Sequence, residues 1–327
     1  MLAIGVAPAK VILAGEHFCV YGVPAVSMAI SLHAKCTIWR SERKGITISS
    51  SIGVSGTFTE TGYEPSIGNS NSRREVEPIK IGVEAVAKEF TAISTDIQVF
   101  IDSEIPVGVG LGSSAATSVS AIAAFSKLNS LELPKNKISE LAYSSESFVH
   151  GKPSGIDQTT STHGGLLLYQ IGKGFQQIRP KRPFTLIVGN TLISRSTGEI
   201  VAKVKKLWEN DRKSTEQLIK AGGEIAKDLA RALEQGDLQL AGALMNENQE
   251  LLRKIGTSHP KLDELIAKAR AAGALGAKLT GGGGGGCMIS LVTSDVESDV
   301  SAAIEEAGGK AFRVFLDQGG VKAWTTT

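Results

Sequence analysis

The sequence is poor in the features that mark several classes of protein. It contains 3 cysteines, whose odd number and wide spacing give neither a disulfide framework nor a zinc-ligand pattern. It has no run of about eighteen apolar residues, and Lys10 and Glu16 interrupt the apolar N-terminus before a signal-peptide core forms. We therefore expect a cytoplasmic protein with buried thiols and no membrane partner.

A dominant charge of one sign is also lacking. The 35 basic and 33 acidic residues are interspersed and give a net charge of +2, without a basic stripe or an Arg-rich tail. Nucleic acid is therefore not an expected partner. Aromatic residues make up only 5%, so the core must depend on Ile, Leu, Val and Ala. The 42% of hydrophobic residues suffices for two domains or one large domain.

Glycine, in contrast, is abundant, and its 37 residues cluster at 108–112 and 281–286. The first cluster follows an alternating segment, 96–102, that predicts a strand, and precedes an Ala- and Ser-rich run to Leu128 that predicts a helix. Glycines let the backbone approach a bulky anion, and a helix N-terminus offers unpaired N–H groups at a positive dipole end. The order of strand, glycine loop and helix therefore predicts a phosphate cradle.

Neither common nucleotide fingerprint fits this loop. A Walker loop ends in Gly-Lys-Ser/Thr, whereas Gly112 is followed by Ser113. A dinucleotide loop needs Gly-x-Gly-x-x-Gly and a later acid after the next strand, whereas Glu132 follows the predicted helix. On the residues alone, the serines could simply cap a buried helix, or one hydroxyl could ligate a metal ion bound to phosphates.

Hydrophobic periodicity predicts an α+β chain of two domains, 1–183 and 184–318. The last strand, within 319–327, could return to either domain. Residues 61–76 have no periodicity and predict a surface loop, after which Pro78 opens a helix through Phe90. The other predicted strands are 3–7, 11–14, 25–30, 34–40, 46–51, 56–59, 164–171, 184–189, 275–280, 286–292, 311–316 and 320–325. The other predicted helices are 134–148, 197–210, 214–235, 237–254, 260–272 and 294–307.

The N-terminal segment carries a first group of chemically useful residues. A predicted strand delivers Lys10, and a glycine turn then presents Glu16 and His17 side by side. A lysine beside a phosphate site would stabilise charge on a transferring phosphoryl group. The structural alternative is that Lys10 is a strand-end cation paired with Glu16.

A second group is the segment from Glu146 to Asp157. Glu146 lies near the end of a predicted helix, where the helix dipole disfavours a carboxylate, and a bound cation would offset that cost. The turn Pro153-Ser154-Gly155 places Asp157 in the first turn of a new helix. The alternative is that Asp157 is an ordinary acid at a helix N-terminus.

A third group is the run of six glycines, 281–286, between two apolar strands. Ordering so many glycines is entropically costly, and a hairpin needs only about two loop residues. The run therefore predicts close approach of the backbone to a ligand, or a hinge.

Taken in order, these segments resemble the GHMP kinase superfamily, which includes galactokinases, homoserine kinases and mevalonate kinases. The resemblance extends from Lys10 to the final strand. Within the superfamily, the segments 10–22, 146–157 and 190–197 are similar to those of the mevalonate kinases. One departure is Gly282, where the third motif commonly has Ala; this exchange of one small residue for another leaves every expected role in place.

The resemblance implies the two-domain GHMP kinase fold, with a ribosomal protein S5 domain 2-like N-terminal domain and a ferredoxin-like α+β C-terminal domain. It implies transfer of the γ-phosphoryl group of ATP to the 5-hydroxyl of mevalonate, with Mg²⁺ as the second cofactor, and a homodimer. Another small-molecule kinase of the superfamily, acting on phosphomevalonate or homoserine, is the nearest alternative. A non-catalytic ligand sensor is another, although a sensor would be expected to lose Lys10, Glu146 or Asp157.

The site residues implied by the resemblance fall into four sets. Asp157 would accept or orient the hydroxyl proton, and Lys10 would stabilise the migrating charge. Ser114 and Glu146 would hold Mg²⁺. The residues expected to contact the substrate are Lys10, His17, Asp157, Arg195 and Thr197. The residues expected to hold ATP are Pro106, Val107, Gly108, Val109, Gly110, Leu111, Gly112, Ser113, Ser114, Ala115, Ala116, Gly281, Gly282 and Gly283.

Overall fold

The fold is built on two β-sheets covered by helices. A computed structural model of the chain describes residues 1–67, 73–90, 93–194 and 197–326. Its strands are β1 (Leu2–Ala14), β2 (Ala25–Arg40), β3 (Ile46–Ser50), β4 (Ser55–Thr59), β5 (Gly62–Ile67), β6 (Ile97–Ser103), β7 (Leu166–Gln170), β8 (Gly174–Ile178), β9 (Thr185–Asn190), β10 (Gly276–Leu279), β11 (Cys287–Val292), β12 (Lys310–Val314) and β13 (Lys322–Thr326). Its α-helices are α1 (Arg73–Glu89), α2 (Ser113–Leu128), α3 (Lys135–His150), α4 (Ile156–His163), α5 (Thr197–Asn210), α6 (Arg212–Gln235), α7 (Leu238–Lys254), α8 (Pro260–Ala271) and α9 (Glu297–Glu306).

The larger sheet has nine strands, with β13, β1, β2, β6, β3, β4 and β5 in spatial order. β7 pairs with β2, and β8 pairs with β7. β3 and β6 run parallel, whereas the other pairs are antiparallel. Helix α2 packs closely on β1, because a Cβ on Gly5 would lie 2.0 Å from the carbonyl oxygen of Ser120. This close packing fixes the start of α2 beside the strand that carries Lys10.

The smaller sheet has four antiparallel strands in the order β10, β11, β9 and β12. Asp211 and Asp237 are the N-cap residues of α6 and α7, and their side chains accept hydrogen bonds from backbone N–H groups of the first turn. One buried cluster joins the two sheets, since Val11 and Met28 of the larger sheet pack with Val188 of the smaller one. The two glycine loops are therefore held across a shared core.

The structure confirms most predicted elements and corrects several. The segments 3–7 and 11–14 are one strand, β1, and 25–30 and 34–40 are one strand, β2; a register shift at Pro8/Ala9 breaks the alternation. The loop predicted at 61–76 is wrong for Gly62–Ile67, which forms the edge strand β5, and for the first turn of α1. β5 is mostly exposed on both faces, so it leaves no periodic pattern. Residues 68–72 of that predicted loop lie outside the described residues.

Two further corrections concern α1 and β8. Helix α1 begins at Arg73, so Pro78 lies inside it rather than opening it. Strand β8 is not among the predicted strands, because its largely exposed residues carry no apolar pattern.

The last strand, β13, pairs with β1 of the larger sheet, whereas Thr185 begins a strand of the smaller sheet. The boundary near residue 183 stays a prediction. Among the described residues, no helix has the length and apolarity needed to cross a membrane.

Candidate active site

The glycine loop and the start of α2 form one wall of the site. Gly108, Gly110 and Gly112 all have positive φ, at 76°, 91° and 76°. Gly112 is the N-cap of α2 and offers no side-chain hydrogen bond to the first turn. The N–H groups of that turn are thus left without a side-chain cap, which is the arrangement that binds anions. A Cβ at Gly112 would lie 2.9 Å from Cγ of Lys10, so this close approach requires glycine.

Lys10 enters the site from β1 and is only 3% exposed. Its Nζ lies 3.1 Å from Oδ1 of Asp157 and 3.5 Å from the carbonyl oxygen of Gly110. The expected alternative, a pair between Lys10 and Glu16, does not form, because Glu16 pairs with Lys278 instead. Lys10 therefore stands between the glycine loop and a carboxylate.

Asp157 is in the first turn of α4, as the sequence predicts. The helix begins after Gly155, whose φ of 87° is left-handed and whose Cβ, if present, would lie 2.5 Å from the hydroxyl of Tyr169. The side chain of Asp157 is 23% exposed, so it reaches the cavity. Its place in the first turn thus serves to aim a carboxylate at Lys10 and the cavity.

Glu146 is fully buried near the end of α3. Its Oε1 accepts a hydrogen bond from the hydroxyl of Ser114 at 2.8 Å. Its Oε2 has no hydrogen-bond partner among the described residues, and Nε2 of His150 lies 3.6 Å from it. Burial, followed by the negative charge of Asp157, raises the pKa of Glu146 to about 7. Ligand atoms of Glu146, His150 and Asp157 lie within 4.8 Å of one another. The carboxylate oxygens of Glu146 and Asp157 are the hard donors that fit Mg²⁺.

The glycine run 281–286 lies opposite the first glycine loop. His17, in a left-handed conformation with φ of 58°, places its Nε2 3.0 Å from the carbonyl oxygen of Gly282. Five of the six glycines have positive φ, and the exception is Gly282. A Cβ at Gly283 would lie 2.0 Å from the carbonyl oxygen of Thr257. The run therefore needs glycine for its backbone shape, except at the position where the family commonly has Ala.

These walls enclose a cavity of about 700 Å³. The predicted residues that line it are Lys10, His17, Val107, Gly108, Gly110, Gly112, Ser113, Ser114, Glu146, Asp157, Gly281 and Gly282. Six predicted ATP-contacting residues are not in this lining: Pro106, Val109, Leu111, Ala115, Ala116 and Gly283. The side chains of Leu111, Ala115 and Ala116 are buried in the protein interior instead. Any contact with ATP there would have to come from the backbone.

Two predicted substrate contacts cannot be placed. Arg195 lies outside the described residues, and Thr197 opens α5 without a described side chain. The cavity also has walls that sequence reasoning missed, among them Ile52 after β3, Arg74 in α1 and Val201 in α5. Arg74 falls within the segment interpreted as a loop, and only its charge could have signalled a role.

Comparison with known proteins gives one family by sequence and by structure. The model of the GHMP kinases N terminal domain matches residues 78–165, and that of the GHMP kinases C terminal region matches 229–310. The mevalonate kinase of Pyrococcus furiosus is 38% identical over 333 residues, which cover 98% of each chain. That of Pyrococcus horikoshii is 40% identical over 312 residues, covering 93% of this chain and 92% of the relative.

Solved structures agree with this result. The mevalonate kinase of L. major in complex with R-mevalonate has a TM-score of 0.81 at 27% identity and 95% coverage of both chains. That of Methanococcus jannaschii has a TM-score of 0.80 at 28% identity, covering 96% of this chain and 98% of the other. The family and fold predicted from the motifs are thereby confirmed. The chain belongs to the GHMP kinase superfamily and, within it, to the mevalonate kinases.

Proposed function

We propose that this chain transfers the γ-phosphoryl group of ATP to the 5-hydroxyl of mevalonate at the cavity between the two glycine loops. The observation that carries the proposal is the convergence of four side chains from distant segments. Lys10 contacts Asp157, Ser114 contacts Glu146, and all four residues line one cavity beside an uncapped helix N-terminus. Phosphoryl transfer needs this combination of positioning and positive charge, because its transition state is loose.

The nucleotide phosphates would lie against residues 106–112 and the N-terminus of α2. Their anionic oxygens would accept hydrogen bonds from backbone N–H groups of the first turn, to which the N-cap residue Gly112 offers no side chain. Ser114 and Glu146 would hold Mg²⁺, which would supply neutralising charge on the phosphates when bound. The support for this assignment is the buried Oε2 of Glu146, which accepts no hydrogen bond from the described residues, and the hard oxygen of Ser114.

Asp157 would act on the acceptor hydroxyl. One of its oxygens is held by Lys10, and its carboxylate would take the hydroxyl proton as the oxygen forms its bond to the γ-phosphorus. The bond from that phosphorus to the bridging oxygen breaks, and ADP leaves. The ammonium of Lys10, buried and 3.1 Å from the carboxylate, would stabilise the charge that develops.

His17, Arg195 and Thr197 would bind the remainder of mevalonate. His17 lines the cavity, and an Arg suits the carboxylate of mevalonate because its planar fork donates two parallel hydrogen bonds. The homodimer and the cytoplasmic location stay predictions.

An assay of ADP release, run separately with mevalonate, phosphomevalonate, homoserine and galactose, tests the proposal. We expect turnover with mevalonate and at least about 10²-fold lower kcat/KM with the other three acceptors. The variant Asp157→Asn serves as the control for contaminating kinases. Turnover of phosphomevalonate or homoserine in preference to mevalonate would replace the proposed substrate, and ATP binding without turnover of any acceptor would favour a sensor.

A further inference from the structure

A buried ion pair connects the turn after β1 with the strand that precedes the glycine run 281–286, and the proposed chemistry does not use this pair. Glu16 is 1% exposed and Lys278 is 0% exposed, and the Nζ of Lys278 donates to Oε1 of Glu16. Glu16 follows β1, whereas Lys278 lies in β10 of the smaller sheet, shortly before the six glycines. The pair therefore joins the two sheets, and Glu16 is also part of the cavity lining.

This arrangement is energetically demanding. Burial raises the pKa of Glu16 and lowers that of Lys278, so removal from water works against both charges. A buried ion pair of this kind is weak evidence for a contribution to stability, since well-packed neutral residues are often as stable. Because the pair lies beside the cavity, it is better explained as holding the groups around the cavity in position.

The hydrogen bonds around the pair hold the first motif against the smaller sheet. Nζ of Lys278 also donates to the carbonyl oxygen of Ile12 at 3.3 Å, two residues after Lys10. Asn248 of α7 donates to Oε2 of Glu16 at 3.1 Å and accepts from the N–H of Gly15 at 3.2 Å. The turn that presents His17 is thus fixed on both sides by groups from the other sheet and its helices.

Two further contacts join the N-terminal segment to the glycine run 281–286 and the threonine before it. The hydroxyl of Thr280 accepts from the N–H of Ile12 at 2.8 Å, and His17 meets the carbonyl oxygen of Gly282 at 3.0 Å. His17 is a non-glycine residue with positive φ, a conformation that persists only where the surroundings enforce it. Glu16, its neighbour in the chain, is the residue with buried partners from β10 and α7.

We infer that Glu16 and Lys278 are positioning residues, whose pairing sets the separation between His17 and Lys10 on one side and the loop 281–286 on the other. Neither residue acts on substrate atoms directly. The inference rests on the proposed function, since it concerns the geometry of the same cavity. A small displacement of groups around a reacting centre can lower its rate by about 10²-fold.

The experiment compares Glu16→Gln, Lys278→Met and the double variant that carries both changes. Each single change leaves a buried charge without its partner and is expected to lower Tm, whereas the double variant removes both charges and is expected to recover most of that loss. The methionine side chain in the double variant has no donor to replace the Nζ that bonds Ile12 and Glu16. We therefore expect kcat/KM of the double variant to stay about 10–100-fold below that of the unmodified chain.

Ile304→Ala, in α9 and fully buried away from the cavity, is the matched control for lost stability. It is expected to lower Tm while leaving kcat/KM within about twofold at a temperature where it is folded. Amide hydrogen exchange over residues 281–286 supplies a second readout, because Gly284 and Gly286 donate backbone hydrogen bonds to Thr257 and Ile193. Faster exchange is expected in the pair variants and unchanged exchange in the control.

A double variant that recovers Tm and also recovers full kcat/KM would overturn the inference, as would pair variants whose exchange at 281–286 equals that of Ile304→Ala. If a single variant does not fold, the double variant decides. If the unmodified chain fails to phosphorylate mevalonate, the proposed function fails, whereas the exchange comparison still tests the positioning role.

Discussion

The buried carboxyl of Glu146 should destabilise the metal-free protein at neutral and higher pH. The folded state raises its pKa from 4.5 to about 7, so folding favours the protonated form. Stability attributable to this group therefore falls as pH rises from about 4.5 and is fully lost above about 7. The difference between these two pKa values corresponds to about 3 kcal/mol of folding free energy.

The perturbation is Glu146→Gln, which keeps an oxygen that can accept from Ser114 but cannot ionise. In a chelator, we expect the variant to be more stable than the unmodified chain by about 2–3 kcal/mol at pH 8 and by less than about 1 kcal/mol at pH 5. Urea denaturation followed by circular dichroism, repeated at both pH values, measures the difference.

Added Mg²⁺ should stabilise the unmodified chain but not Glu146→Gln, so that the unmodified chain becomes the more stable of the two. The reason is that a cation bound at Ser114 and Glu146 stabilises the ionised carboxylate. Glu146→Gln should therefore lose turnover as well as the stabilisation by Mg²⁺. The reasoning is refuted if, without metal, Glu146→Gln has the same stability difference at pH 8 as at pH 5. Such a result would mean that the carboxyl is already ionised without cost, or that the fold hydrates it.

Three further changes test other parts of the site. Asp157→Asn should keep ATP binding by calorimetry and lower kcat by at least about 10²-fold; near-normal kcat would remove Asp157 from its role. Ser114→Ala should raise the Mg²⁺ concentration needed for half-maximal rate, and an unchanged requirement would count against it as a ligand. Gly282→Ala should change the free energy of unfolding by less than about 1 kcal/mol. Gly283→Ala should destabilise by more, because Gly283 has positive φ and its Cβ would lie 2.0 Å from the carbonyl oxygen of Thr257. Equal urea midpoints for the two variants would contradict this.

Local chemistry in the sequence determined the parts of the site that depend on near neighbours. The glycine loop ends where the sequence predicts, and α2 runs from Ser113 to Leu128 as expected. Asp157 lies in the first turn of its helix because Gly155 provides a left-handed residue two positions earlier. Four motifs in order were enough to identify the family, which the comparisons confirm.

The partners of the charged side chains were decided only by the tertiary structure. Sequence proximity left Glu16 as an alternative partner for Lys10, and only the family resemblance brought Lys10 near Asp157. In the structure Lys10 contacts Asp157, and Glu16 pairs with Lys278, which no pattern indicated. These partners lie far apart in the chain, and the packing of β1 between α2 and the smaller sheet selects them. No local pattern carries that information.

Which side chains are buried was likewise decided by the tertiary structure. The pKa of Glu146 depends on the exclusion of water by neighbouring helices and on the charge of Asp157, neither of which is visible in the residues around position 146. The edge strand β5 and the first turn of α1 were missed because mostly exposed residues carry no periodicity. Sequence determined which chemical groups are available and how each local backbone presents them. Tertiary packing decided which groups meet and which lose water, since both depend on contacts between distant segments.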